Sequence, residues 1–145
     1  MNRIARGAWV LALTLEGGAC QSPTSGGPAP VSVMGQWSYS ATQTSPVAAT
    51  LTGTLTIAQQ SGPNFGGSLD ATQQDAMGNV IHVSGVISGQ VLNPSALEFS
   101  VFVGLAGRQH LGTLAQDSVR GTWVEQTGGE VTSSGSFVAV RKSGP

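Results

Sequence analysis

The chain is short of several things, and each shortage closes off a class of protein. It has a single cysteine, Cys20, in 145 residues, so no internal disulfide can form and packing alone must hold the fold. Charged residues make up 9% and the formal net charge is −1, which leaves no basic footprint for a nucleic acid. No apolar run reaches the ~20 residues that a membrane-spanning helix needs. Past the N-terminus no stretch repeats apolar residues at i, i+3, i+4 and i+7 over three turns, so helix content is expected to be close to nil. Polarity comes instead from Ser, Thr, Gln and 21 glycines. That composition borders on disorder, but regular apolar alternation from Trp37 onward argues for a folded domain.

The first residues have a different character. Arg3 and Arg6 precede the apolar run Ala8 to Leu15, and the small residues Gly17, Gly18 and Ala19 follow. A basic start, a short apolar run and a small-residue cleavage site are the marks of a secretory signal peptide, expected over residues 1–19. Leu15-Glu-Gly-Gly-Ala-Cys20 resembles the lipobox of bacterial lipoproteins, departing from it at Glu16 and Gly17. The resemblance implies lipidation of Cys20 and a membrane partner through that anchor. Ordinary cleavage after Ala19, leaving a free thiol in a periplasmic or secreted protein, is the alternative. Residues 20–32, rich in Pro, Gly and Ser, read as a flexible tether, and residues 33–145 as one domain.

Within that domain the period is two. Leu51, Gly53, Leu55 and Ile57 share one face, opposite Thr52, Thr54 and Thr56; Phe65, Gly67 and Leu69 alternate likewise, as do Leu97, Phe99, Val101 and Val103. Gly85 is expected to mark a bulge, because the apolar face shifts from Ile81 and Val83 to Val86. Ser133 to Ser136 is expected to be a turn. Eight candidate strands with short connectors predict an all-β domain, a single eight-stranded antiparallel up-and-down barrel, with a β-sandwich as the competing architecture.

Three segments place a glycine two residues before an aromatic: Gly35-Gln-Trp37, Gly121-Thr-Trp123 and Gly135-Ser-Phe137. In a strand the two share a face, so the glycine leaves room for a ring and allows the bend that a closing sheet requires. Gly35-Gln-Trp37 opening the first strand, with Arg141 on the last, resembles the calycin superfamily of lipocalins, fatty-acid-binding proteins and avidins. The resemblance implies that Arg141 packs across the Trp37 indole to close one end of the barrel, a cation–π contact. The helix-free avidin-like form fits the length. In it Tyr39 falls at a polar ligand contact of the first strand and Trp123 at a late-strand ligand contact. The chain also looks like short Gly/Thr-rich lipoproteins of environmental bacteria, for which no activity is implied.

No catalytic pattern emerges. His82 and His110 lie on different strands without a third metal ligand, so no metal site and no cofactor is expected, and both histidines are read as solvated. Serines are plentiful, but none sits in a strand–turn–helix elbow. Asp117, Glu125 and Glu130 lie in or beside turns, as solvated acids do, and no carboxylate pair suggests itself. The chain is therefore expected to be non-enzymatic. Two functions are open. One is a barrel holding a small apolar or uncharged ligand among Trp37, Tyr39, Phe99 and Trp123, which an internal void would favour and a solid core would oppose. The other is an interaction lipoprotein, inhibitor-like, acting through its outer surface on another protein.

Overall fold

The computed structural model describes residues 29–143. The signal peptide expected over 1–19, Cys20 and the tether as far as residue 28 lie outside the described residues.

Eight strands follow one another with short turns: β1 Gly35–Ser45, β2 Ala49–Ser61, β3 Asn64–Asp75, β4 Val80–Asn93, β5 Ala96–Val103, β6 Ala106–Ala115, β7 Ser118–Thr127 and β8 Glu130–Arg141. Each pairs antiparallel with the next, and β8 returns to β1, giving a closed barrel. The architecture is the expected all-β meander, and closure leaves no unpaired edge to recruit another chain. At the closing seam Trp37 lies opposite Arg141 and Tyr39 opposite Ala139.

Alternation fixes the core. Leu51, Leu55 and Ile57 of β2 are buried, as are Phe65, Leu69 and Ala71 of β3 and Leu97, Phe99 and Val101 of β5. Two glycines that the sequence reading did not single out make room for rings. A Cβ on Gly89 would lie 2.5 Å from the Phe65 ring tip, and one on Gly112 would lie 3.0 Å from the Phe137 ring tip.

Two local expectations are corrected. There is no bulge at Gly85, because the β3–β4 register runs unbroken from Asn64–Gln90 to Gln74–Val80. Val83, Ile87 and Val91 point inward, while Ile81 and Val86 point outward and are exposed. Gly85 is there because the neighbouring strand passes close: a Cβ would sit 2.5 Å from the Phe102 carbonyl oxygen. Ser133 to Ser136, expected as a turn, belong to β8. The register shifts on both sides: Glu125 pairs with Ser133 and Gln126 with Val131 toward β7, and Gln43 pairs with Gly135 and Ser45 with Ser134 toward β1.

One end of the barrel is sealed by the segment that enters it. Val33 is buried and its N–H donates to Gln60 Oε1 at 2.9 Å. The Trp37 indole N–H donates to the Val33 carbonyl at 3.0 Å. The Arg141 guanidinium lies over the Trp37 ring, 4.3 Å from its centroid. Its remaining donors reach the carbonyls of Met34 and Ser32 and Asp117 Oδ1 at 3.2 Å. Gly35, with φ of +113°, gives the chain the turn it needs to enter β1 beneath that guanidinium.

Candidate functional site

The two halves of the interior differ in chemistry. Toward the sealed end Trp37, Leu55, Ile57, Phe65, Leu97 and Phe137 pack around a void of only about 20 Å³, room for about one water and for no ligand. The apolar half is solid. Toward the other end, which we call the mouth, inward positions carry polar groups.

The junction between the halves is His110. It stacks on Phe99 with ring centroids 4.3 Å apart and planes 9° from parallel, and meets the edge of Phe137 at 5.0 Å. Its Nδ1 lies 3.1 Å from the Arg108 carbonyl. A carbonyl only accepts, so Nδ1 carries the proton. Nε2 then accepts from the Tyr39 hydroxyl at 2.9 Å. The tautomer is set by the backbone and the ring is satisfied at both nitrogens. His110 is 2% exposed, which corrects its reading as a solvated side chain. His82 is exposed on the outer face, 3.8 Å from Asp70 Oδ1.

Burial pushes the His110 pKa down to about 3, against an ordinary value of 6.5, and drives that of Tyr39 upward. The histidine is therefore a neutral hydrogen-bonding group near pH 7. Below pH 6.5 the unfolded chain takes up a proton that the folded barrel refuses. This contribution to stability is whole above 6.5 and declines as pH falls toward 3, by ~1.4 kcal/mol per unit. Between pH 7 and pH 5 the wild type should lose about 2 kcal/mol more than His110→Gln in urea unfolding. Equal losses in the two proteins would mean that the ring is protonated in place.

Above His110 lies a buried ion pair. Arg108 Nε donates to Glu125 Oε2 at 2.5 Å, with side chains 9% and 18% exposed. Glu125 is thus an interior residue and not the solvated turn acid expected. Its other oxygen accepts from Ser133 Oγ at 3.2 Å, and Arg108 Nη2 donates to Gln73 Oε1 at 3.2 Å. The guanidinium carbon stands 5.2 Å from the Trp123 ring centroid. Two donors in this layer, Arg108 Nη1 and Trp123 Nε1, are buried and have no acceptor among the described residues. The pair is neutral as a unit, so the layer offers hydrogen-bond donors without net charge.

Of the four residues expected to contact a ligand, three converge. Tyr39, Phe99 and Trp123 surround His110, at centroid distances of 6.0, 4.3 and 6.4 Å. Trp37 stands apart at the sealed end under Arg141. Sequence reasoning missed His110, Arg108 and Glu125. Arg108 and His110 alternate with outward Gln109 and Leu111 along β6, and this i, i+2 spacing was the available signal. Among the described residues no three His, Cys, Asp or Glu side chains come together as a metal site would require. Outside the barrel an open trough of about 560 Å³ runs across the outer face of β4 to β7, where Ser88, Gln90, Ser100, Gln109, Leu111 and Thr122 point outward.

No protein-family model matches the sequence, and no curated protein does. Solved structures do match in fold. The barrel EF1p2_mFAP2b, bound to DFHBI, superposes with a TM-score of 0.58 at 15% identity, over 75% of this chain and 93% of that one. The redesigned β-barrel mFAP1, also bound to DFHBI, gives 0.55 at 16% identity over 74% and 94%. The S-type phycobiliprotein lyase CPES of Guillardia theta gives 0.51 at 10% identity over 78% and 90%. What these proteins share with the chain is the fold, a small closed β-barrel.

Proposed function

We propose that the chain is an exported, lipid-anchored and non-enzymatic barrel that binds a small, uncharged polar ligand at its mouth. The observation that carries this reading is the polar layer of Arg108, Glu125, Gln73, Ser133 and His110 inside a barrel whose other half is apolar and solid. Buried ion pairs contribute little net stability and are often replaceable by hydrophobic residues. A barrel that had only to fold would gain nothing from one. The two unaccepted donors, Arg108 Nη1 and Trp123 Nε1, suit a ligand presenting carbonyl or hydroxyl oxygens. The neutrality of the Arg108–Glu125 pair favours an uncharged one. DFHBI bound to two barrels of this fold supports the idea that the architecture accepts a small molecule.

The solid apolar half limits how deep such a ligand reaches, and moves the expected contacts from Trp37 toward Tyr39, Phe99 and Trp123. The outer trough favours the second reading, an interaction lipoprotein working through its surface. The export and anchoring rest on Arg3, Arg6, the run from Ala8 to Leu15, and Cys20. They support a location in the bacterial cell envelope.

Native mass spectrometry of the full chain, isolated from its own membrane fraction, tests these parts separately. A diacylglycerol increment on Cys20 is expected. So is a second increment that dissociates on activation and is lost in the Arg108→Leu/Glu125→Leu double variant. A lipidated but bare barrel would remove the ligand and leave the surface reading. A soluble protein retaining residues 1–19 would overturn the export.

A further inference from the structure

The turns at the two ends of the barrel differ. In an up-and-down barrel alternate hairpins lie at one end, so the β1–β2, β3–β4, β5–β6 and β7–β8 connections all surround the mouth. Each of the four carries an exposed aliphatic side chain at or beside its tip: Val47 at 58%, Met77 at 88%, Leu105 at 100% and Val131 at 61% exposure. Val80 and Ile81 extend the β3–β4 turn in the same way. The opposite turns, Ser61-Gly-Pro-Asn64, Asn93-Pro-Ser95 and Gln116-Asp-Ser118, carry no large apolar side chain at their tips; the exposed apolar side chains at that end are Leu92 beside the second turn, at 47%, and Val31 and Met34 of the entering segment, at 38% and 39%.

These side chains are held out by structured backbone. Asp75 accepts from the N–H groups of Met77 and Asn79, both at 2.9 Å, and from the Asn79 side chain at 2.8 Å, which fixes the turn that carries Met77. Gly104, at φ +59°, and Gly128, at φ +63°, make the tight turns that put Leu105 and Val131 at the rim. The exposed basic residues of the described chain, Arg120, Arg141 and Lys142, lie toward the sealed end. The mouth carries Asp75 and Glu130 instead.

We infer that the mouth rests on a lipid bilayer, with Val47, Met77, Leu105 and Val131 inserted as a ring of apolar tips. Separate tips around an opening fit a deformable apolar medium, whereas a folded protein partner needs one contiguous patch. The absence of rim cations among the described residues makes the attraction apolar and directs it to an uncharged surface, since anionic lipid is recruited by Lys and Arg. The geometry of attachment agrees. The chain enters the barrel at the sealed end through Val33. Val31 and Ser32 are held at the sealed end by Gln60 and Arg141, so from Cys20 the eleven residues 20–30 reach at most ~40 Å when extended, against the ~36 Å contour of the eleven-residue β1. An anchor at Cys20 and the ring can therefore meet the same bilayer. A ligand taken at the mouth would then come from the membrane surface; the docking itself does not depend on that ligand.

The test uses the exported chain from residue 20 onward with Cys20→Ser, so that neither the apolar run Ala8 to Leu15 nor an acyl anchor contributes, and neutral phosphatidylcholine vesicles in a sedimentation assay. Met77→Ser/Leu105→Ser, at two exposed tips, should lower the vesicle partition coefficient about tenfold or more. Leu92→Ser at the opposite end should leave it unchanged, as should raising NaCl from 0.05 to 0.5 M. Partition unaffected by the double change, or lowered equally by Leu92→Ser, would overturn the proposal. So would self-association without vesicle binding that Met77→Ser/Leu105→Ser abolishes, which would make the ring a contact between copies. Ligand loss in the Arg108→Leu/Glu125→Leu protein with partition intact would separate this surface from the binding site.

Discussion

Glu125→Ala is expected to destabilise the barrel by about 3–5 kcal/mol, whereas Arg108→Leu/Glu125→Leu should stay within about 1 kcal/mol of the wild type. The asymmetry follows from where the charges are. The Arg108 guanidinium is buried, stands 5.2 Å from the Trp123 ring centroid, and has Glu125 as its one counter-ion. Removing the carboxylate alone leaves a cation in the interior with Gln73 as its remaining side-chain acceptor, and strips Ser133 of its partner. Removing both charges removes the desolvation cost with them. Urea unfolding of Arg108→Leu, Glu125→Leu and the double at pH 7 measures the coupling directly, and Glu125→Ala gives the cost of the lone cation. A Glu125→Ala cost below about 1 kcal/mol would mean that the pair is solvated in solution and that the mouth stands open. If the double variant is as stable as expected and loses the ligand, the ion pair is kept for recognition.

How much of this was legible beforehand depended on whether a residue's surroundings lie along its own strand or across it. Leu51, Leu55 and Ile57 could be placed inside because a strand's two faces alternate and one of them was uniformly apolar. Gly35 and Trp37 marked the first strand and Arg141 the last, so the seam was predicted as well as the strands. On β6 the two faces compete. Arg108, His110, Gly112 and Leu114 lie inside, while Gln109, Leu111, Thr113 and Ala115 lie outside, and neither set is clearly more apolar. What decides is register. Arg108 pairs with Glu125, and His110 with both Phe99 and Trp123, so each polar group finds its partner only after three strands are aligned. Glu125 looked like a turn acid because the β7–β8 turn begins three residues later, at Gly128. Gly85 was misread for a related reason: its neighbour is the Phe102 carbonyl of the next strand, which no reading of β4 alone contains.

The same cross-strand logic makes Gly135 a position where one methyl group should do great damage. It sits on β8 opposite Gln43 of β1 and Trp123 of β7, at the seam that closes the barrel. A Cβ there would lie 1.8 Å from the Thr42 carbonyl oxygen and 2.9 Å from Trp123 Nε1. The first neighbour is backbone and cannot turn aside. Relief therefore requires β8 and β1 to part, which breaks ladder hydrogen bonds, or the indole to leave its place against Arg108. Gly135→Ala should cost more than about 3 kcal/mol, with a fall of about 10 °C or more in Tm. Gly107→Ala is the control, because the nearest atoms to its Cβ are the Phe102 ring carbons at 3.9 and 4.0 Å, an ordinary contact. Thermal unfolding followed by circular dichroism, with Trp fluorescence as a second probe, distinguishes the two. A Gly135→Ala protein within about 1 kcal/mol of wild type would show that the seam yields. Closure would then be held by the Arg141–Trp37 contact and the entering segment, and not by the close approach of β1 and β8.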